Sequence, residues 1–91
     1  MTEITIAIPT PLRVYTDNQK KVKVKGKDVH GALEVLVSRY PNLKKHLYEG
    51  DELLNFVNIY LNDEDIRYLD STELKDGDNL AIVPSIAGGS R

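Results

Sequence analysis

The segment FVNIYLN, residues 56–62, carries the most regular strand pattern in this 91-residue chain. Apolar residues alternate with polar or amphipathic ones, and a period of two places alternate side chains on opposite faces of a strand. The residues predicted to face a core are Val57, Ile59 and Leu61. Phe56 and Tyr60 are then predicted to face away from that core.

Three other segments, residues 4–8, 21–25 and 79–84, alternate in the same way and are also predicted to be strands. We expect Leu12 and Val14 to continue the first of them in an extended conformation. In 21–25, lysines alternate with valines, which is typical of an edge strand protected by charge. Strand alternation explains these lysines better than a polyanion site does, because no aromatic residue lies among them.

One amphipathic helix is predicted between the second and third strands. Asp28 is a favourable N-cap, apolar residues follow at helical spacing as far as Tyr40, and Pro41 is expected to end the helix. The stretch 42–54 is expected to form a short helical turn and a loop.

These elements predict an α+β fold of the β-grasp, or ubiquitin-like, class: a mixed sheet of four to five strands packed on one main helix. A ferredoxin-like domain is the alternative, and it would need a second full helix. The predicted organisation is one domain, residues 1–84, followed by a flexible tail, residues 85–91, that contains Gly88 and Gly89.

Composition excludes several classes of function. The chain has no cysteine, so it cannot hold sulfur as a persulfide on a thiol. Its two histidines, His30 and His46, are isolated, and no nucleophile with a base, phosphate loop or metal-ligand spacing is recognisable. We therefore expect neither an enzyme nor a bound cofactor or metal, and we expect a cytoplasmic monomer without a membrane segment.

Charge is unevenly distributed along the chain. Residues 1–48 contain nine basic and four acidic residues, and residues 49–91 contain three basic and ten acidic residues. The second half could therefore present an acidic surface to a basic partner, or the charges of two solvated halves could simply differ. The net charge of −2 argues against nucleic acid as a partner.

Four stretches resemble the ubiquitin-like sulfur carriers of the MoaD/ThiS family, most closely the branch that serves cysteine and homocysteine synthesis. They are IPTPLR (8–13), FVNIYLNDEDIR (56–67), LKDGDNLAIVPSIAGG (74–89) and the closing Gly88-Gly89. The resemblance covers residues 4–89.

The resemblance implies a mechanism in which Gly89 is the reactive residue. An E1-like adenylating enzyme would use ATP to activate the Gly89 carboxylate, and a sulfur donor would convert it to a thiocarboxylate for a sulfur-accepting synthase. The tail threaded into the partner would comprise Ile86, Ala87, Gly88 and Gly89. Glycine suits this role because it adopts whichever backbone conformation the partner imposes.

The sequence departs from the family pattern because Ser90 and Arg91 follow Gly89. The Gly89 carboxyl is therefore held in a peptide bond, and the resemblance implies cleavage between Gly89 and Ser90 by a JAMM-type zinc metallopeptidase. A two-residue remnant of cloning is the alternative origin.

A β-grasp fold would place the last strand beside the third strand and so define a partner surface. We call the predicted apolar surface the docking patch, formed by Phe56, Tyr60, Ala81 and Val83. We call the predicted acidic edge the acidic rim, formed by Asp63, Glu64 and Asp65. The alternative is that some of these side chains pack against residues 41–55.

Other functions stay open at this point. One is the small subunit of molybdopterin synthase or the sulfur carrier of the thiamine pathway. Another is a ubiquitin-like protein modifier, which uses the same activated Gly-Gly. The last is a binding module whose glycines have no chemical role.

Overall fold

The computed structural model describes residues 2–50 and 52–84. In chain order the elements are β1 (Glu3–Ala7), a first 3-10 helix (Thr10–Thr16), β2 (Lys21–Lys25), α1 (Val29–Arg39), α2 (Pro41–Leu47), β3 (Tyr48–Glu49), β4 (Glu52–Leu53), β5 (Val57–Leu61), β6 (Glu64–Asp65), a second 3-10 helix (Ile66–Tyr68) and β7 (Asn79–Pro84).

Five strands form one mixed sheet in the order β2-β1-β7-β5-β6. β1 and β7 are parallel, and the other three pairings are antiparallel. β3 and β4 form a separate two-stranded sheet. The last strand therefore lies in the middle of the main sheet, between β1 and β5, as the predicted β-grasp fold requires.

The inner face of the sheet packs with α1 and α2 around one apolar core. Ile4, Ile6 and Ile8 are at most 1% exposed, which confirms the alternation predicted for the first strand. The predicted inward residues of β2, β5 and β7 are buried as well. These are Val22, Val24, Val57, Ile59, Leu61, Leu80 and Ile82.

α1 begins where the sequence predicts. The Asp28 carboxylate accepts a hydrogen bond of 2.7 Å from the Gly31 backbone N–H, and this contact satisfies one of the free N–H groups of the first turn. At the other end of the helix, Arg39 donates from Nη1 to the Lys23 carbonyl at 3.0 Å. This contact satisfies a carbonyl of the edge strand β2, and it adds to the protection that the lysines give that edge.

The expectation that Leu12 and Val14 continue the first strand is wrong. Residues Thr10–Thr16 form a 3-10 helix in which Leu12 is buried and Val14 is 69% exposed. Pro11 lies in its first turn, where the fixed φ of proline favours a helical conformation and the missing N–H costs nothing. The predicted turn at Asp17-Asn18 is confirmed, since both residues have positive φ.

The expectation of only a helical turn and a loop after Pro41 is wrong as well. Pro41 ends α1 but also opens the seven-residue helix α2, which is followed by the β3–β4 hairpin. Leu43 and Leu47, four residues apart on one helix face, are fully buried. Their burial gives α2 the tertiary contacts that a helix of this length needs.

Gly26 marks the closest approach between β2 and α1. A Cβ added at this position would lie 2.8 Å from the Ala32 backbone nitrogen and 2.9 Å from its Cα. Those atoms belong to the helix backbone, so relief would require α1 to move away from the sheet. Gly26→Ala should therefore lower the free energy of unfolding by about 1–3 kcal/mol.

Equilibrium denaturant unfolding of the two variants Gly26→Ala and Lys27→Ala tests this expectation. Lys27 is the exposed neighbour, so its variant controls for a change in local composition without the clash. Equal stability of the two variants would contradict the close approach as the reason for glycine.

Candidate functional site

The outer face of the sheet is the face turned away from the helices, and it contains the predicted docking patch. Directly paired residues of neighbouring strands share one face, so the pairings define rows across it. One row crosses all five strands, with Lys21 on β2, Ala7 on β1, Ala81 on β7, Tyr60 on β5 and Asp65 on β6.

The four predicted patch residues all have some exposure on this face or at its margin. Val83 is 42% exposed and Phe56 is 46% exposed, while Tyr60 and Ala81 are half-buried. Phe56 precedes β5 and lines a hollow with Glu49 and Glu52 of the β3–β4 hairpin. The patch therefore has acidic neighbours at its Phe56 end that the sequence reasoning did not identify.

A shallow depression of about 400 Å³ lies beside Tyr60 on the same face. Its floor includes Ala7 and Ala81, and Lys21 and Asp63 also line it. The small side chains of Ala7 and Ala81 leave this space between longer side chains on either side. The depression is wide enough to receive a side chain from a partner.

The residues of the predicted acidic rim lie in different surroundings. Asp63 and Glu64 are exposed at the turn between β5 and β6. This turn is at the opposite end of β5 from Val57, the residue that pairs with Pro84. The length of β5, roughly 13 Å at the usual rise of a strand, therefore separates this turn from Pro84, the last residue of β7.

Asp65, the third residue of the rim, is paired with Arg67. Arg67 donates from Nη2 to Oδ2 at 2.7 Å and from Nε to both carboxylate oxygens at 3.2 Å. The Asp65 side chain is only 8% exposed, whereas that of Arg67 is 62% exposed. The hydrogen bonds from the Arg67 side chain and backbone N–H lower the pKa of the Asp65 carboxyl.

Arg67 and the neighbouring Tyr68 were not identified from the sequence as site residues. Tyr68 is 83% exposed, and it directly follows Arg67 in the second 3-10 helix. The spacing of Asp65 and Arg67 could have predicted their contact. An aspartate that caps a 3-10 turn accepts a hydrogen bond from the backbone N–H two residues later, which here belongs to Arg67.

A hydrogen-bonded network connects the two turns at the acidic end of the sheet. The Asp78 carboxylate accepts from the Lys75 backbone N–H at 2.7 Å and from Asn62 Nδ2 at 3.1 Å. Asn62 Oδ1 in turn accepts from the Asn79 backbone N–H at 3.0 Å. The network fixes the turn that holds Asp63 against the start of β7.

A second hollow, of about 470 Å³, lies on the helical side and is lined by His30, Glu34, Lys44 and Tyr48 among others. Burial, with a smaller contribution from Glu34, raises the pKa of the Tyr48 phenol. This phenol therefore stays protonated near neutral pH. His46 instead stacks on Tyr15, with the ring centroids 4.3 Å apart.

Within residues 2–50 and 52–84, no group of three His, Asp or Glu residues is placed to hold a metal ion. Across the same part of the chain, no helix is long and apolar enough to cross a membrane.

The predicted tail, residues 85–91, lies outside the described residues. The roles expected for Ile86, Ala87, Gly88, Gly89 and Ser90 therefore stay predictions, as does the domain boundary after residue 84. What the structure describes is Pro84 at the end of β7, paired with Val57.

A mixed sheet with its last strand in the centre, an apolar outer patch, and Gly-Gly a few residues beyond that strand define the class of ubiquitin-like carrier and modifier proteins. Within that class, the chain belongs to the ThiS family, whose model matches residues 6–89.

Relatives with known names support this assignment. The chain is 37% identical to the sulfur carrier protein CysO of Mycobacterium tuberculosis, over 94% of this chain and 98% of the relative. It is similar to a chain in the crystal structure of the Amycolatopsis orientalis BexX/CysO complex, with a TM-score of 0.84, 41% identity, and coverage of 94% of this chain and 99% of that one.

A protein named as a modifier is also similar to this chain. The small archaeal modifier protein 1 (SAMP1) of Methanosarcina acetivorans matches with a TM-score of 0.85 and 33% identity, over 98% of both chains.

The Asp78 network predicts a specific dependence of stability on pH. Hydrogen bonds from the Lys75 N–H and from Asn62 lower the pKa of Asp78 in the folded state. Its contribution is therefore complete above the unfolded value of about 3.9 and is lost as the pH falls through the lower, folded value. Asp78→Asn should unfold with a shallower dependence on pH in this acidic range.

Urea unfolding between about pH 2 and pH 5 measures this dependence. Asp70→Asn is the matched control, because Asp70 is exposed and removal of its charge alters net charge equally. If both variants keep the slope of the parent chain, the pairing of Asp78 does not contribute to acid stability.

Proposed function

We propose that this chain is a sulfur carrier that holds sulfur as a thiocarboxylate on Gly89. The observation that carries the proposal is the position of β7. This strand lies in the centre of the sheet and ends at Pro84 beside the docking patch, five residues before Gly89. Five extended residues span at most about 17 Å, so a partner bound at the patch has Gly89 within reach.

The chemistry requires an activated carboxylate. A Gly89 carboxylate oxygen attacks the α-phosphorus of ATP, pyrophosphate leaves, and an acyl adenylate forms. A hydrosulfide-type donor then attacks the acyl carbon, AMP leaves with the bonding pair, and loss of the proton gives the thiocarboxylate. ATP and the catalytic groups belong to the E1-like adenylating enzyme, and this chain is its substrate.

The absence of cysteine supports a carbonyl carbon as the site of sulfur attachment. A persulfide carrier needs a thiol, and the chain has none. The relatives named sulfur carrier proteins support the same role. We propose further that the chain donates sulfur to a synthase that makes cysteine, with homocysteine or methionine, molybdopterin and the thiamine thiazole as the alternative end products.

Release of Gly89 from the residues after it is the first step of this proposal. The Gly89 carbonyl is joined to Ser90 in a peptide bond, so it has no free carboxylate oxygen that could attack ATP. We propose that a JAMM-type zinc metallopeptidase cleaves the bond between Gly89 and Ser90.

A ubiquitin-like modifier is the second candidate, favoured by the similarity to SAMP1 over almost the whole chain. A modifier would transfer the same activated Gly89 carbonyl to the amine of a lysine on another protein, rather than to sulfide. The two candidates therefore differ in the nucleophile and not in the fold.

Intact-mass measurement distinguishes these functions. The chain ending at Gly89, incubated with its adenylating enzyme, ATP and sulfide, should gain about 16 Da as sulfur replaces one oxygen. The chain that retains Ser90 and Arg91 is the matched control and should keep its mass until the peptidase is added.

An unchanged mass of the chain ending at Gly89 would refute the carrier proposal. Lysine-linked conjugates of the chain in lysate of its own cells, formed without any thiocarboxylate, would instead establish the modifier.

The docking patch makes a second prediction. Val83 is exposed on the central strand, one residue before that strand ends, so Val83→Asp should raise the KM for adenylation by about tenfold or more through loss of an apolar contact. Its side chain lies outside the core, so the melting temperature should change little.

Val14→Asp is the matched control for this variant. Val14 is equally apolar and even more exposed, but it lies on the first 3-10 helix, which packs against α2. ATP–pyrophosphate exchange gives the KM of both variants. Equal effects of the two substitutions would contradict the patch as the docking site.

A further inference from the structure

Two cations lie at the two sides of the docking patch, on the row that passes through Tyr60. Lys21 is exposed on the edge strand β2, and it pairs with Ala7. Arg67 lies at the opposite side, where it holds Asp65, the partner of Tyr60 in β6. Three strand spacings of about 4.8 Å separate β2, which contains Lys21, from β5, which contains Tyr60. Arg67 lies beyond Tyr60, so the two cations are roughly 15–20 Å apart.

The ion pair between Asp65 and Arg67 presents its positive member to a partner. The carboxylate is 8% exposed and is occupied by the guanidinium, whose own side chain is 62% exposed. Arg67 uses Nε and Nη2 for Asp65, and this leaves donors of the planar group for another carboxylate. A protein that binds here therefore meets a cation at the position where the sequence predicted an acid.

The surface between the two cations is concave and of mixed polarity, since Thr5, Asn62 and Asn79 line it together with the two alanines. Ala7 and Ala81 form the floor of the depression of about 400 Å³, and Tyr60 and Lys21 line its sides. Asp63 lines the depression and would repel any anion placed inside it. Carboxylates of a partner therefore fit only at Lys21 and Arg67, to either side of the depression, and a small uncharged side chain fits over Ala7 and Ala81 between them.

We infer that Lys21 and Arg67 are specificity-determining residues of the docking patch. Each pairs with a carboxylate of the adenylating enzyme while a small uncharged side chain of that enzyme enters the depression over Ala7 and Ala81. The inference rests on the proposed function, because it names the charges by which the activating partner recognises this chain. Charges at the edge of an interface act chiefly on the association rate and on partner choice.

Charge substitutions in the chain ending at Gly89 test the inference. Lys21→Glu and Arg67→Gln should each raise the KM for adenylation, or the Kd for the enzyme, about fivefold at low salt, with kcat unchanged. The double variant should show about the product of the two effects, because the sites are more than 10 Å apart. In 1 M salt the differences should fall below about twofold, since screening weakens exposed pairs.

Two control variants separate these cations from more general effects. Lys45→Glu changes net charge as Lys21→Glu does, but on the exposed side of α2, and should leave the KM unchanged. Asp65→Asn keeps a hydrogen-bond acceptor for Arg67 while it removes the negative charge, and should leave the KM unchanged or lower it. Comparison of Arg67→Gln with Asp65→Asn therefore shows whether binding depends on the charge of Arg67 or on its ion pair with Asp65.

The outcomes are distinct. If the parent chain is adenylated and Lys21→Glu and Arg67→Gln behave like Lys45→Glu, the inference is overturned and the proposed function stands. If Asp65→Asn weakens binding as much as Arg67→Gln, the pair is structural and Arg67 is not a contact residue. If the parent chain is not adenylated at all, the proposed function fails and this inference fails with it.

Discussion

The parallel pairing of β1 with β7 is the constraint on which the rest of the structure depends. It joins residues more than 70 positions apart, with Ile6 opposite Leu80, and both side chains are almost completely buried. Parallel neighbours cannot be joined by a tight turn, so the chain between them must cross over the sheet. Here the crossover contains α1 on the inner face and β5 on the far side of β7, and β7 is the middle strand of the five.

The long strands and α1 could be predicted because each obeys a local rule. Alternation defined the inward faces of β1, β2, β5 and β7, and Asp28 marked the start of α1 as an N-cap. The fold class followed because few arrangements bury four such faces and one amphipathic helix in two layers.

The short elements could not be predicted in the same way, because tertiary contacts stabilise them. Residues 10–16 alternate well enough to suggest a strand, but Pro9 and Pro11 cannot donate to a sheet. The buried Thr16 hydroxyl lies within hydrogen-bonding distance of the carbonyls of Arg13 and Gln19, and so holds the chain in a 3-10 turn. The first 3-10 helix also packs against α2, and this contact between distant segments cannot be predicted from the local sequence.

The candidate site was predictable in its apolar part and less so in its charges. Side chains alternate between the two faces of a strand, and this alternation alone predicts which positions on β5 and β7 face outward. Tyr60, Ala81 and Val83 could therefore be placed on one face. The charges depended on which strands become neighbours. Lys21 from the basic half of the chain and Asp63 from the acidic half line one depression, so the uneven charge of the sequence does not become two separate surfaces.

A carrier of this design separates recognition from reaction. In the proposed function, the folded domain offers a partner a patch on a central strand, and the reactive carbonyl belongs to Gly89, five residues after the last residue of β7 in the sequence. Because β7 is paired with β5 as far as Pro84, a partner that binds at Val83 contacts a segment whose position the sheet fixes. On this proposal the catalytic groups belong to the partners, and partners with different chemistry can use one patch in turn, provided that each supplies a surface complementary to its charges.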